Sequence, residues 1–80
     1  MDDSSRVRVN VYATLRQFVG GRPSVETDVV PGTLVADVLK SLEIPVEKTR
    51  IVFINHRAAD LSHPLNGGET VGVFPAVGGG

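Results

Sequence analysis

Eighty residues hold one small domain with a single core, because surface-to-volume scaling leaves too little material for two. Apolar residues make up 41% and charged residues 21%, an ordinary globular balance that excludes a disordered chain. Eight Lys and Arg against nine Asp and Glu leave a formal charge of −1 with no long block of either sign, so there is no electrostatic footprint for nucleic acid or an anionic membrane.

From Arg6 to Tyr12 the residues alternate, with Val7, Val9 and Val11 on one face and Arg6, Arg8, Asn10 and Tyr12 on the other, the period of a half-buried strand. Ala13 to Val19 sets Leu15, Phe18 and Val19 among polar positions and predicts a short helical turn, broken by Gly20-Gly21. Ser24 to Val30 alternates again, and the short gap predicts an antiparallel hairpin with the first strand. Pro31-Gly32 ends that strand. Thr33 is the expected N-cap of a helix whose Val35, Val38, Leu39 and Leu42 form one apolar stripe.

Pro45 is the expected stop of that helix, since the residue before proline is steered out of helical angles. Ile51 to Ile54 is apolar throughout, which predicts a strand covered on both faces or lying centrally in its sheet. A tight turn at Asn55-His56 follows, then a weak edge strand within Ala58 to Leu61 and a turn-rich crossover from His63 to Gly68. Glu69 to Phe74 restores alternation, with Val71 and Val73 opposite Gly72 and Phe74, until Pro75 removes a ladder donor. A hairpin, one main helix and later strands predict a two-layer α+β fold, with residues 1–5 as a disordered lead-in, 6–75 as the domain and 76–80 as a flexible tail.

The chain has no cysteine, so it carries no disulfide, thiolate metal site or side-chain persulfide. Its acidic, polar start is unlike a secretory signal, and no apolar run nears the ~18 residues of a membrane span, so a cytoplasmic protein is expected. His56 and His63 have only Asp60 between them and no partner at a metal-ligand spacing, so no metal site is expected. Ser62 and His63 are adjacent, which does not orient a nucleophile against its base. Gly20-Gly21 and Gly67-Gly68 lack the Lys-Ser/Thr of a phosphate loop and read as turns, and Arg6, Arg8, Arg50 and Arg57 read as solvated charges.

The sequence closes on Val77-Gly78-Gly79-Gly80. Consecutive glycines make a thin thread whose α-carboxylate has no side chain to shield it, which is useful where the carboxylate is the working group. By composition alone a frayed end is the simpler account.

Two stretches weigh against fraying. Val11-Tyr12-Ala13-Thr14-Leu15-Arg16 is similar to a family opening in which the first strand passes into a helical turn. His63 to Val71, then Phe74-Pro75-Ala76-Val77 and the closing Gly79-Gly80, looks like that family's Pro-Leu, Gly-acidic turn, last strand, Phe/Leu-Pro-x-Val and Gly-Gly; Val52-Phe53-Ile54-Asn55 stands where its central strand lies. The chain thus resembles the ubiquitin-like β-grasp sulfur carriers of the MoaD and ThiS kind, and among them most the small subunit of molybdopterin synthase. Glu69-Thr70 departs from the usual acidic pair, and Gly78 fills a variable position.

The resemblance implies a mixed sheet of four to five strands on one main helix, and a protein substrate that is not itself an enzyme. It implies that an adenylyltransferase related to ubiquitin-activating enzymes uses ATP to adenylate the Gly80 carboxylate, reached through Gly79, while the chain itself binds no cofactor. A sulfur donor enzyme then replaces AMP to give a thiocarboxylate for an acceptor such as the molybdopterin synthase large subunit. Carriers for cysteine, thiamine or tRNA thiolation share the ending, as do modifiers that form isopeptides, and a binding module with an inert tail is a third class. Phe74, Pro75, Val77, Gly78 and Arg16 are the expected partner contacts, with a core aromatic and a surface charge as the alternatives for Phe74 and Arg16.

Overall fold

The computed structural model describes residues 6–75, so the expected lead-in and tail lie outside the described residues. Alternating valines form β1 (Arg6–Val11), with Val7, Val9 and Val11 buried. A 3₁₀ segment, Ala13–Val19, buries Leu15 and ends at Gly20, whose φ of 69° is the left-handed conformation that glycine adopts without a Cβ penalty. The chain returns as β2 (Ser24–Asp28), antiparallel to β1 with Val9 opposite Val25.

Thr33 does not cap the helix. It lies in β3 (Thr33–Leu34), where its hydroxyl donates to the Val30 carbonyl at 2.7 Å and accepts the Val30 N–H at 3.1 Å, closing the turn at Pro31-Gly32. Leu34 occupies the N-cap of α1 (Val35–Ser41). The first free N–H groups of α1 are satisfied across the molecule, Val35 by the His63 carbonyl at 3.1 Å and Ala36 by that of Leu61 at 3.0 Å. A side-chain cap is therefore unnecessary.

The stop of α1 also differs from expectation. Leu42 is the C-cap, Glu43 adopts φ 64°, and the N–H groups of Glu43 and Ile44 return to the carbonyls of Lys40 and Leu39 at 3.0 and 2.9 Å. This pair of bonds is a Schellman motif, with Ile44 and Leu39 buried together. The helix has ended before Pro45 acts.

A short 3₁₀ turn, Val46–Lys48, leads into β4 (Thr49–Ile54), which turns at Asn55-His56 into β5 (Arg57–Ala59). The crossover contains one further strand, β6 (Pro64–Leu65), antiparallel to β3 in a two-stranded sheet. Sequence reading missed that sheet because two-residue strands carry no alternation. The last strand, β7 (Thr70–Pro75), inserts between β1 and β4, giving a five-stranded sheet in the order β2-β1-β7-β4-β5. It is mixed, with β7 parallel to β1 and antiparallel to β4.

The core forms where α1 covers the inner face, with Val35, Val38 and Leu39 buried along with Val7, Val52 and Val71. Each such side chain contributes on the order of 1.5–3 kcal/mol when fully removed from water. Only one face of β4 is covered: Val52 and Ile54 are buried, while Ile51 stays 42% exposed and Phe53 half-buried. The uninterrupted apolar run thus marks a strand whose second face is left open.

Candidate functional site: the outer face of the sheet

Register decides what that open face carries. Asn10 lies beside Gly72 and Gly72 beside Phe53, while Phe74 pairs with Ile51 and meets Tyr12 across the end of the β1–β7 ladder. The Tyr12 and Phe74 rings stack with centroids 4.2 Å apart and planes 1° apart, and Phe53 meets Phe74 edge-on at 5.8 Å. The edge-on contact suits the quadrupoles of aromatic rings, and the stack packs two ring faces at van der Waals distance. Gly72 leaves a gap in this layer. The result is a shallow notch of about 220 Å³, walled by Tyr12, Phe74 and Phe53 and bounded by Asn10, Thr70 and His56.

The opposite end of the same face is charged. Arg6 reaches Asp28 at 3.4 Å and Glu26 at 3.6 Å, and Arg8 reaches Glu26 at 3.2 Å. All four side chains are well exposed, so each pair contributes about 0–1 kcal/mol. Strand direction therefore runs from a polar end of the face to an apolar one.

β7 loses its pairing with β1 at the apolar end. The Tyr12 N–H donates to the Val73 carbonyl at 3.2 Å, and the next parallel link would run from the nitrogen of residue 75 to the Tyr12 carbonyl. Pro75 has no N–H to offer, and that carbonyl accepts from Leu15 at 3.2 Å instead. Ala13, with φ 56°, turns β1 away at the same level. Pairing of β7 with β1 thus ends before Pro75, which keeps only its partner Thr49 in β4, immediately beside the aromatic rings.

Of the residues singled out in the sequence, Phe74 and Pro75 are brought together here, while Val77, Gly78, Gly79 and Gly80 lie outside the described residues. Phe74 is not a core aromatic: it is half-buried on the outer face, away from α1. Arg16 has a bond inside the chain, its Nε donating to the Val11 carbonyl at 2.8 Å and fastening the end of β1 to the 3₁₀ segment. Tyr12, Ile51, Phe53 and Gly72 join the site although none of them was an expected partner contact. The signal was present in the alternation that put Tyr12 and Gly72 opposite the buried valines, but it has no meaning until β1 and β7 are known to be neighbours.

The other residues weighed in the sequence have local roles. Ser62 donates its hydroxyl to Asp60 at 2.9 Å, not to His63. The Glu69 carboxylate accepts the N–H groups of Asn66 and Gly67 at 2.9 and 2.8 Å, closing the turn before β7. Asn55 accepts the Thr70 N–H through Oδ1 at 3.0 Å, tying the β4–β5 turn to the start of that strand. Among the described residues, no three His, Cys, Asp or Glu side chains come together as metal ligands, and no helix is long and apolar enough to cross a membrane.

Residues 9–80 match the model of the ThiS family. The chain belongs to the ThiS family. No curated protein matches its sequence. Among solved structures, SAMP1 from Haloferax volcanii is 26% identical, with a TM-score of 0.71 over 94% of this chain and 99% of that one. The Pyrococcus furiosus protein assigned as molybdopterin converting factor, subunit 1, is 24% identical, with a TM-score of 0.71 over 90% of this chain and 98% of that one. Small archaeal modifier protein 1 from Methanosarcina acetivorans is 23% identical, with a TM-score of 0.70 over 95% and 97%. This ThiS-family chain thus has the ubiquitin-like β-grasp fold of MoaD-like and SAMP-like proteins, a group of small carriers and modifiers.

Proposed function

We propose that this ThiS-family chain is a sulfur carrier that works through the Gly80 carboxylate. The observation that carries the reading is the end of the β1–β7 ladder at Pro75, beside a half-buried aromatic cluster, with the five residues from Ala76 to Gly80 following it. Those residues span at most about 17 Å when extended, so an enzyme can enclose the carboxylate while the domain rests on its surface. A carboxylate resists nucleophilic attack because it is negatively charged and would have to expel oxide. Attack of Gly80 on the α-phosphate of ATP, with loss of pyrophosphate, gives an acyl-adenylate from which AMP can leave. A sulfur donor enzyme then delivers a sulfide-level nucleophile to the acyl carbon, the acyl–phosphate C–O bond breaks with AMP leaving, and the product is a thiocarboxylate.

Each residue near the exit has a part in this scheme. Gly79 and Gly80 form the narrow end that enters the partner's site, with Gly78 as slack. Phe74 and Val77 serve as apolar contacts, since interfaces favour aromatic residues at their buried centres. Pro75 restricts the chain where it leaves the sheet and so reduces the entropy lost on docking. Arg16, held at Nε by Val11, presents its guanidinium to an acidic partner surface.

The partners are an ATP-dependent adenylyltransferase, a sulfur donor enzyme and an acceptor enzyme. Molybdopterin synthesis in the cytoplasm is the pathway we favour, with the molybdopterin synthase large subunit as acceptor. The Phe74-Pro75-Ala76-Val77 motif and the likeness to the P. furiosus converting-factor subunit support it. A second reading, lysine conjugation through the same adenylate, is favoured by the 26% identity to SAMP1 over 94% of the chain.

Intact mass after incubation with the activating enzyme, ATP and a sulfur source tests the proposal. Exchange of one oxygen for one sulfur at Gly80 is expected; adducts on lysines of other proteins would support conjugation. Full function after deletion of Gly79 and Gly80 overturns both.

A further inference from the structure

The notch over Gly72 has a shape that the carrier reading does not require. Gly72 is buried although it faces outward, because the rings beside it lean across its backbone. A Cβ placed there would meet Tyr12 Cε2 at 3.7 Å, Phe74 Cε1 at 3.8 Å and the Phe53 Cβ at 3.9 Å, all ordinary contacts. Glycine is therefore not demanded by backbone angle or by crowding. Its effect is to leave about 220 Å³ open between the three aromatic rings, with Asn10, Thr70 and His56 at the rim. An apolar cavity of roughly 150 Å³ already accepts a benzene ring, so this one has room for a single leucine- or phenylalanine-sized side chain.

We infer that the notch receives one apolar side chain from the enzyme that activates Gly80. This rests on the carrier reading, and the reach of the chain argues for that occupant. Gly80 lies at most about 17 Å from Pro75, so a protein enclosing the carboxylate must have its body over this end of the sheet. Phe74 is both the residue before Pro75 and a wall of the notch, so that body covers the notch as well. The chain's own tail is a poor occupant, because β7 points it away from the notch and a reversal would spend about four of its residues on a turn.

The test uses the full chain, its purified activating enzyme and ATP, with ATP–pyrophosphate exchange as the readout. Gly72→Ala and Gly72→Val fill the notch in steps, and far-UV circular dichroism with an amide NMR spectrum establishes that each is folded. The expected result is a KM for the carrier raised by about tenfold or more in Gly72→Val, less in Gly72→Ala, with kcat within about twofold of wild type. Equal KM values for wild type and both folded variants overturn the inference and leave the carrier reading intact. So does a Gly72 amide resonance that moves on removal of residues 76–80, which assigns the notch to the tail, or with protein concentration, which assigns it to a second copy. A wild-type chain that supports no exchange overturns the carrier reading and this inference together.

Discussion

Replacing Phe74 by alanine separates the part this ring plays in the fold from any part in docking. In the folded chain it is half-buried, stacked on Tyr12 at 4.2 Å and edge-on to Phe53 at 5.8 Å. Full burial of a phenylalanine side chain is worth about 1.5–3 kcal/mol, so half-burial contributes about 1 kcal/mol. Each aromatic contact adds about 0.5–1.5 kcal/mol beyond area. The sum for Phe74→Ala, with its two aromatic contacts, is about 2–4 kcal/mol. A domain of this size has about 4–12 kcal/mol in total, so the variant of a domain of mid-range stability still folds, with a Tm lower by about 8–30 °C.

A double-mutant cycle with Tyr12→Ala isolates the stack. Urea denaturation of wild type, the two single variants and the double variant, followed by far-UV circular dichroism, is expected to give a coupling of about 0.5–1.5 kcal/mol at constant m. A coupling indistinguishable from zero, or a Phe74→Ala midpoint equal to that of wild type, would refute the stacking argument. The ring would then be a surface group with no part in the fold.

Three further outcomes follow from backbone and hydrogen-bond geometry. Glu43 holds the left-handed position of the Schellman motif with φ 64° and places a negative charge at the C-terminus of α1, so Glu43→Gly is expected to raise the urea midpoint by about 1 kcal/mol in stability. The β4–β5 turn has Asn55 at φ 51° and His56 at φ 70°, the angles of a type I′ turn that favours Asn-Gly; His56→Gly should therefore stabilise by about 0.5–1 kcal/mol, measured as a rise in Tm. Arg16→Ala removes the donor to the Val11 carbonyl, and a loss of about 1–2 kcal/mol on chemical denaturation is expected. If Arg16 also meets a partner, the same variant raises the KM for the activating enzyme at temperatures where it remains fully folded.

Much of the element order was legible because each signal is local. Val7, Val9 and Val11 declare a strand to any reader of period two, and Val35, Val38 and Leu39 declare a helix face. Where expectation failed, a distant group had taken over a local task. Thr33 lost the helix cap because carbonyls of Leu61 and His63 already satisfied the first N–H groups of α1. Pro45 was not needed as a stop because Glu43 accepted a left-handed conformation that favours glycine. The two-residue strands β3 and β6 exist only as each other's partners.

The candidate site divides along the same line. Pro75, Phe74 and the closing glycines were readable from sequence, since a strand end, a proline and a run of glycines are properties of neighbouring residues. The aromatic layer was not. Tyr12, Phe53 and Phe74 become one surface only when β7 inserts between β1 and β4, bringing together residues from opposite ends of the described chain in a register that puts Gly72 among them. Alternation assigns each side chain to one of two faces of its own strand; which strands share a face, and with what offset, is decided by the long-range pairing that buries the valine side. Sequence alone thus determined that the chain runs from a final strand through proline to a glycine end, and tertiary structure decided what surface that end departs from.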